Sequence, residues 1–108
     1  MDVTNALATL AALSHESRLW AFRLLVQAGP AGLSAGDIAD GLSSRQNTMS
    51  SHLKQLSQAG LIVSQRQGRS VIYHANPATV RRLTLFLIED CCAELWGTVP
   101  GRSVGPFD

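Results

Sequence analysis

Cys91 and Cys92 are the only cysteines in the chain, and they are adjacent. Their Cα atoms must stand about 3.8 Å apart, below the roughly 4.4–6.8 Å of ordinary disulfides, so a structural bond between them is not expected. In a reducing compartment both rest as thiols. Two neighbouring sulfurs suit soft, thiophilic ions, for which the nearby Glu89, Asp90 and Glu94 are poor, hard ligands. A structural reading stands beside this one, because free cysteine also packs as a small hydrophobe. A thiol enzyme is a third reading. Against it, the chain has no C-x-x-C and no histidine after His74.

A second group of residues suits a polyanion rather than a soft ion. Along Ser43–Leu61, Met49, Leu53 and Leu56 recur at i, i+4, i+7, one buried stripe at helical period. Gln46, Asn47, Ser50, Ser51 and Lys54 stand on the other side, with no acid among them. Amides, hydroxyls and a lysine are what base edges and phosphates require, although a plain solvated helix face has the same composition. The charge map favours the first reading. The net charge is only +1, yet every acidic residue lies within 1–40 or 89–108. Between them, Arg45, Lys54, Arg66, Arg69, Arg81 and Arg82 make an acid-free basic middle, an electrostatic footprint for nucleic acid.

The surrounding elements must position that helix. The 108 residues are enough for one domain with a single modest core, and 45% hydrophobic with 16% charged residues reads as globular. No apolar run spans a bilayer and no signal peptide opens the chain, so a cytoplasmic protein is expected. Val3, Leu7 and Leu10 mark a first helix ending near Leu13. Ser14 is placed to cap a second, whose Leu19, Phe22, Leu25 and Val26 are expected to face the core before Gly29-Pro30 stops it. Ser34 and Asp37 form a capping-box-like start for a short helix through Leu42. Ser43 or Ser44 should cap the polar-faced helix, and Gly60 should close it.

From Leu61 the period changes to strands. Leu61–Arg66 and Val71-Ile72-Tyr73 should pair through a two-residue loop at Gln67-Gly68, giving a β-hairpin with Arg66 and Arg69 near its tip. A plain solubilising hairpin is the alternative. Asn76-Pro77 opens a last helix carrying Val80, Leu83, Phe86, Leu87, Cys91 and Leu95, more apolar than one small core demands, so pairing with a second copy is expected. Residues 97–108 read as a mobile tail after a domain of residues 1–96. The fold class expected is mainly α with a small β-hairpin, a winged helix-turn-helix.

The segments Ala12–Leu25 (ALSHESRLWAFRLL), Ser34–Leu42 (SAGDIADGL), Gln46–Ile62 (QNTMSSHLKQLSQAGLI) and Gln67–Pro77 (QGRSVIYHANP) together resemble the ArsR/SmtB family of small winged-helix repressors. The most specific part is the QNT-x-S-x-HLKxLxxAGL run followed by the GR wing. The resemblance implies a homodimer paired through its first and last helices, two recognition helices in successive major grooves of an operator, and an effector that lowers operator affinity. It places Gln46, Asn47, Ser50 and Ser51 nearest base edges, and Thr48, Lys54 and Arg69 at phosphates or the minor groove. His52 falls between the two faces, where a partly buried hydrogen-bonding role is expected.

The family's zinc-type site needs histidines in the last helix, and another common site needs cysteines in the helix before the recognition helix. Both are missing here. The chain is more similar to arsenic-responsive members, some of which carry a Cys-Cys pair near the end of the last helix. The effector implied is trivalent arsenic or antimony, or an organoarsenical, at Cys91 and Cys92, with no resident cofactor and no enzymatic activity. Inorganic arsenite normally takes three sulfurs and this chain supplies two. The third ligand is then a small-molecule thiol, a hydroxide or a partner cysteine, unless the effector is a monomethyl arsenical. Redox or persulfide sensing by the same thiols is the competing reading.

Overall fold

The computed structural model describes residues 1–92. The expected tail and Leu95 lie outside the described residues. Five helices and a three-stranded sheet appear in the order α1 (Val3–Leu13), α2 (Glu16–Ala28), β1 (Leu33–Ser34), α3 (Ala35–Gly41), α4 (Gln46–Gln58), β2 (Ile62–Gln67), β3 (Ser70–Ala75), α5 (Pro77–Leu85). A π-helical turn, Phe86–Cys91, continues α5. The fold is the expected one, mainly helical with a small antiparallel sheet.

Helix starts follow local hydrogen bonding, and in two places they correct the sequence reading. Asp2 caps α1 by accepting from the Asn5 amide at 2.7 Å. Ser14 does not cap α2: it is the C-cap of α1, at φ −82, ψ 41 rather than the extended backbone of an N-cap. His15 takes the role, its Nδ1 accepting from the Ser17 amide at 3.1 Å. Ser34 does cap α3, accepting from Asp37 N–H at 3.1 Å. Neither Ser43 nor Ser44 caps α4. Ser43 sits at φ 53, in the left-handed region, and the Ser44 hydroxyl donates forward to the Arg45 carbonyl. Arg45 is the cap residue by backbone alone, and Asn47 Oδ1 accepts the Thr48 amide instead, at 2.9 Å.

The core is built around α4. Met49, Leu53 and Leu56 are fully buried as expected, against Ala12, Ala21, Leu25, Ile38, Ala39, Leu61 and Ile62. For α2 the expected inward face is half wrong. Leu25 is buried and Phe22 partly so, but Leu19 and Val26 remain 52% and 50% exposed. Ala21, 0% exposed, takes the central place, its small side chain letting α2 pack closely on its neighbours. Residues 19 and 26 are seven apart, so they share the opposite side. On α1 the buried positions are Ala6, Thr9 and Ala12, leaving Val3, Leu7 and Leu10 as an exposed apolar stripe.

The sheet has order β1-β3-β2, all antiparallel. Pairing of Gln67 with Ser70 makes Gly68-Arg69 the hairpin loop, one residue beyond Gln67-Gly68. Gly68 alone of the pair has positive φ, as glycine does at the first position of a II′ turn, so Arg69 stands at the tip itself. The short β1 was not legible in the sequence. It pairs Leu33 with Tyr73 and joins the start of α3 to the wing. Gly32 makes that approach possible. At φ 66, ψ −175, any Cβ would lie 2.5 Å from the Tyr73 carbonyl oxygen and 2.7 Å from His74 Nε2. Gly32→Ala is therefore expected to cost at least about 2 kcal/mol, read as a lower urea midpoint at unchanged slope.

Candidate nucleic-acid interface and cysteine pair

All seven residues singled out for DNA are exposed. Gln46, Asn47, Thr48, Ser50, Ser51 and Lys54 lie on α4 and Arg69 on the wing tip. The acid-free stretch of residues 41–88 builds both elements, so neither α4 nor the wing itself carries a carboxylate. Asn47 spends its side-chain oxygen on Thr48 N–H, which leaves its amide NH2 outward as a donor. Gln46 lies beside the first turn of α3, near Gly36.

The position of α4 depends on its far end as well as its buried stripe. Gly60, at φ 76, turns the chain towards β2, and its carbonyl is gripped from α5. Thr79 Oγ1 donates to it at 2.7 Å and Asn76 Nδ2 at 3.1 Å. Thr79 Oγ1 in turn accepts from Arg82 at 3.0 Å. Asn76 precedes Pro77 at the start of α5, as read from sequence, but its side chain makes no cap. It faces back to Gly60 instead. The sequence carried no signal for this clasp, since Thr79 is an ordinary helix residue until Gly60 is placed opposite it.

His52 is half-buried at the edge of α4, as expected, but its partner is a ring rather than a hydrogen-bonding group. Its centroid lies 4.5 Å from that of His15, with the planes 47° apart. Burial lowers the His52 pKa from its usual value, and the charges of His15 and Arg18 lower it further. Arg18 meanwhile donates through Nε to the Ala12 carbonyl at 2.6 Å and through a terminal nitrogen to Ala11 at 3.3 Å, holding the end of α1.

The two cysteines sit at the end of the π-helical turn. Cys91 is exposed and Cys92 half-buried, with the Cys92 amide donating to the Leu87 carbonyl five residues back. Among the described residues no group of three or more His, Cys, Asp and Glu side chains is arranged to hold a metal. The last helix was expected to run on as one α-helix. The observed i+5 bonding departs from that and underwinds the segment just before the thiols.

The profile of a helix-turn-helix domain family matches residues 13–65. This segment is a helix-turn-helix domain. It takes in α2, α3, α4 and the first strand of the wing. No curated protein sequence matches the chain. Among solved structures, it is similar to an ArsR-like transcriptional regulator from Rhodococcus sp. RHA1, 28% identical over 87% of this chain and 84% of that one, TM-score 0.73. A homodimeric winged helix-turn-helix DNA-binding domain from Mycobacterium bovis, a possible ArsR-family regulator, is 22% identical over 94% and 90%, TM-score 0.67. The transcriptional repressor BigR from Xylella fastidiosa is 25% identical over 80% and 83%, TM-score 0.60. The helix-turn-helix domain thus sits within the winged fold of ArsR-type regulators, and no helix among the described residues is long and apolar enough to cross a membrane.

The unequal exposure of the thiols has a direct readout. In reduced protein, the disulfide dye DTNB is expected to react in two phases, and Cys91→Ser to remove the faster one. Equal rates in the two single serine variants would contradict the placement.

Proposed function

We propose that this chain is a homodimeric, DNA-binding transcriptional repressor that leaves its operator when a trivalent arsenical binds Cys91 and Cys92. The observation that carries the DNA half is the exposure of Gln46, Asn47, Ser50, Ser51 and Lys54 on a helix seated firmly in the core, within a stretch free of acid. Gln46 carries the amide that a bidentate adenine contact needs, and Asn47, its oxygen held by Thr48 N–H, offers its NH2 to a base acceptor such as a purine N7. Thr48, Lys54 and Arg69 supply phosphate or minor-groove contacts, which fix register. Repression by the similar Xylella protein and the dimeric state of the Mycobacterium domain support the reading.

Dimer formation is supported by the apolar residues the monomer leaves uncovered. Val3, Leu7 and Leu10 line α1, and Leu85, Leu87 and Ile88 stand at the end of the last helix. Paired through these helices, two copies of α4 would meet half-sites about 34–36 Å apart. The thiols lie at the end of that same last helix, so a ligand bridging both sulfurs acts on the seam. A shift there is relayed to α4 through Thr79, Asn76 and the Gly60 carbonyl. Release requires tighter ligand binding in the DNA-incompetent arrangement, by a coupling of roughly 1–3 kcal/mol. Arsenite would need a third ligand from a small-molecule thiol, hydroxide or the partner subunit, whereas a monomethyl arsenical is satisfied by two sulfurs.

The test is fluorescence anisotropy of labelled duplex from the region upstream of this chain's own gene, in reducing buffer. Binding should weaken with salt. With one copy in each half-site, Lys54→Gln should lower the salt slope by about two, and Asn47→Ala should cost about 1–3 kcal/mol per half-site and relax specificity at one base pair in each. Arsenite or a methylarsenical should release the wild type but not the Cys91→Ser, Cys92→Ser double variant. Release of that double variant would remove the thiols from the mechanism. Release by polysulfide or peroxide alone, with a covalent dimer on non-reducing gels, would assign the exposed Cys91 to redox sensing instead.

A further inference from the structure

Three elements meet at one small cluster that the arsenical mechanism does not use. His52 projects from the edge of α4, His15 caps α2, and Arg18 of α2 holds the last carbonyls of α1. The groups facing His52 from α2 are His15 and Arg18. Helix α1 contributes no ionisable side chain at all, and the nearest ionisable group on α4 itself, Lys54, is two residues away and so points away from this edge. Glu16, the one acid close by in sequence, lines a cleft with Trp20, Leu42 and Met49.

The geometry favours a neutral His52. His15 Nδ1 accepts the Ser17 amide, which a doubly protonated ring cannot do. The His52 ring is packed against that same imidazole at 4.5 Å, with the fixed charge of Arg18 beside it. Protonation of His52 thus places a charge in a half-buried site beside the Arg18 guanidinium and against the imidazole that caps α2. The effect falls on the joint between α4 and the helix pair α1–α2.

We propose that His15 and His52 form a proton-sensitive joint through which acidification loosens the recognition helix from α1 and α2 and weakens DNA binding. The DNA part rests on the repressor reading above. The sign follows from the two states of the ring. The folded protein holds His52 below the usual histidine pKa near 6.5, so the unfolded or loosened state binds more protons in that range. The joint is intact above that value and is lost as pH falls through the lower, folded-state pKa.

Two measurements on the reduced full chain test this separately. In the first, the imidazole signals are followed by NMR between pH 8 and 5 without DNA. His15→Gln is expected to raise the His52 midpoint, and amides of Thr48 to Gln55 should shift with it. An unchanged His52 midpoint would overturn the joint, whatever the DNA result. In the second, anisotropy at constant salt compares pH 7.5 with pH 5.5. Wild-type affinity is expected to fall about fivefold or more, within the usual span for coupled sites, and the His52→Gln variant by clearly less. Affinity that rises on acidification in a His52-dependent way would overturn the proposal and make the pair a phosphate contact. No binding at any pH would sink the repressor reading and the DNA part of this proposal with it, while the NMR arm would still decide whether the joint exists.

Discussion

The seating of Met49, Leu53 and Leu56 in the core is the constraint on which the rest depends. Each is fully buried. At about 1.5–3 kcal/mol for a fully buried side chain of this size, the three hold α4 with roughly 5–9 kcal/mol, comparable with the whole stability of a small domain at about 5–15 kcal/mol. The helix cannot leave its bed without unfolding the protein. Its outward residues are therefore presented in a fixed register, and any control over them has to work by small tilts or rotations of an intact domain.

Such tilts are governed at the edges and ends of α4, where the contacts are polar and few. The Gly60 carbonyl is held by Thr79 and Asn76, which ties the end of α4 to the start of α5. At the other end, Ser43 takes a left-handed conformation and the chain enters α4 without a side-chain cap. Along one edge, His52 meets His15. These contacts involve hydrogen bonds and charge, each of order 1 kcal/mol rather than several. They are weak enough to respond to a ligand or a proton and strong enough to bias a shallow equilibrium.

The elements most legible in the sequence were those where a single local rule decides. The stripe of α4, the Ser34 cap and Pro77 at the first position of α5 were all read from spacing alone. Boundaries failed by one residue where two rules competed for the same group. Ser14 has the chemistry of an N-cap, but as the C-cap of α1 it lacks the extended backbone an N-cap needs. The hairpin loop moved by one residue because Gly68 opens the turn rather than closing it. Leu19 and Val26 were assigned inward by size, whereas close helix packing selected Ala21. The exposure of Gln46, Asn47, Ser50, Ser51 and Lys54 opposite the buried stripe followed from helical period. The Thr79–Gly60 clasp and the two-histidine contact did not, because each joins residues far apart in sequence.

Among the described residues, the thiols follow a segment with little hold on the core. Beyond Leu83, the only position of the last helix that is not exposed before Cys92 is Phe86. The same segment leaves the α-helical hydrogen-bond pattern, with the Cys92 amide reaching Leu87. A π-helical turn holds one residue more than an α-helical turn, so rewinding it would rotate everything beyond it relative to Leu83. Leu87 and Ile88, exposed apolar residues within the turn, would change facing with it, while Leu85, which precedes it, would not. The facing of Leu87 and Ile88 and the placement of the two sulfurs are therefore one geometric variable. A ligand bridging both sulfurs would restrain that variable directly, in a segment that the domain holds only through Phe86 and Leu83.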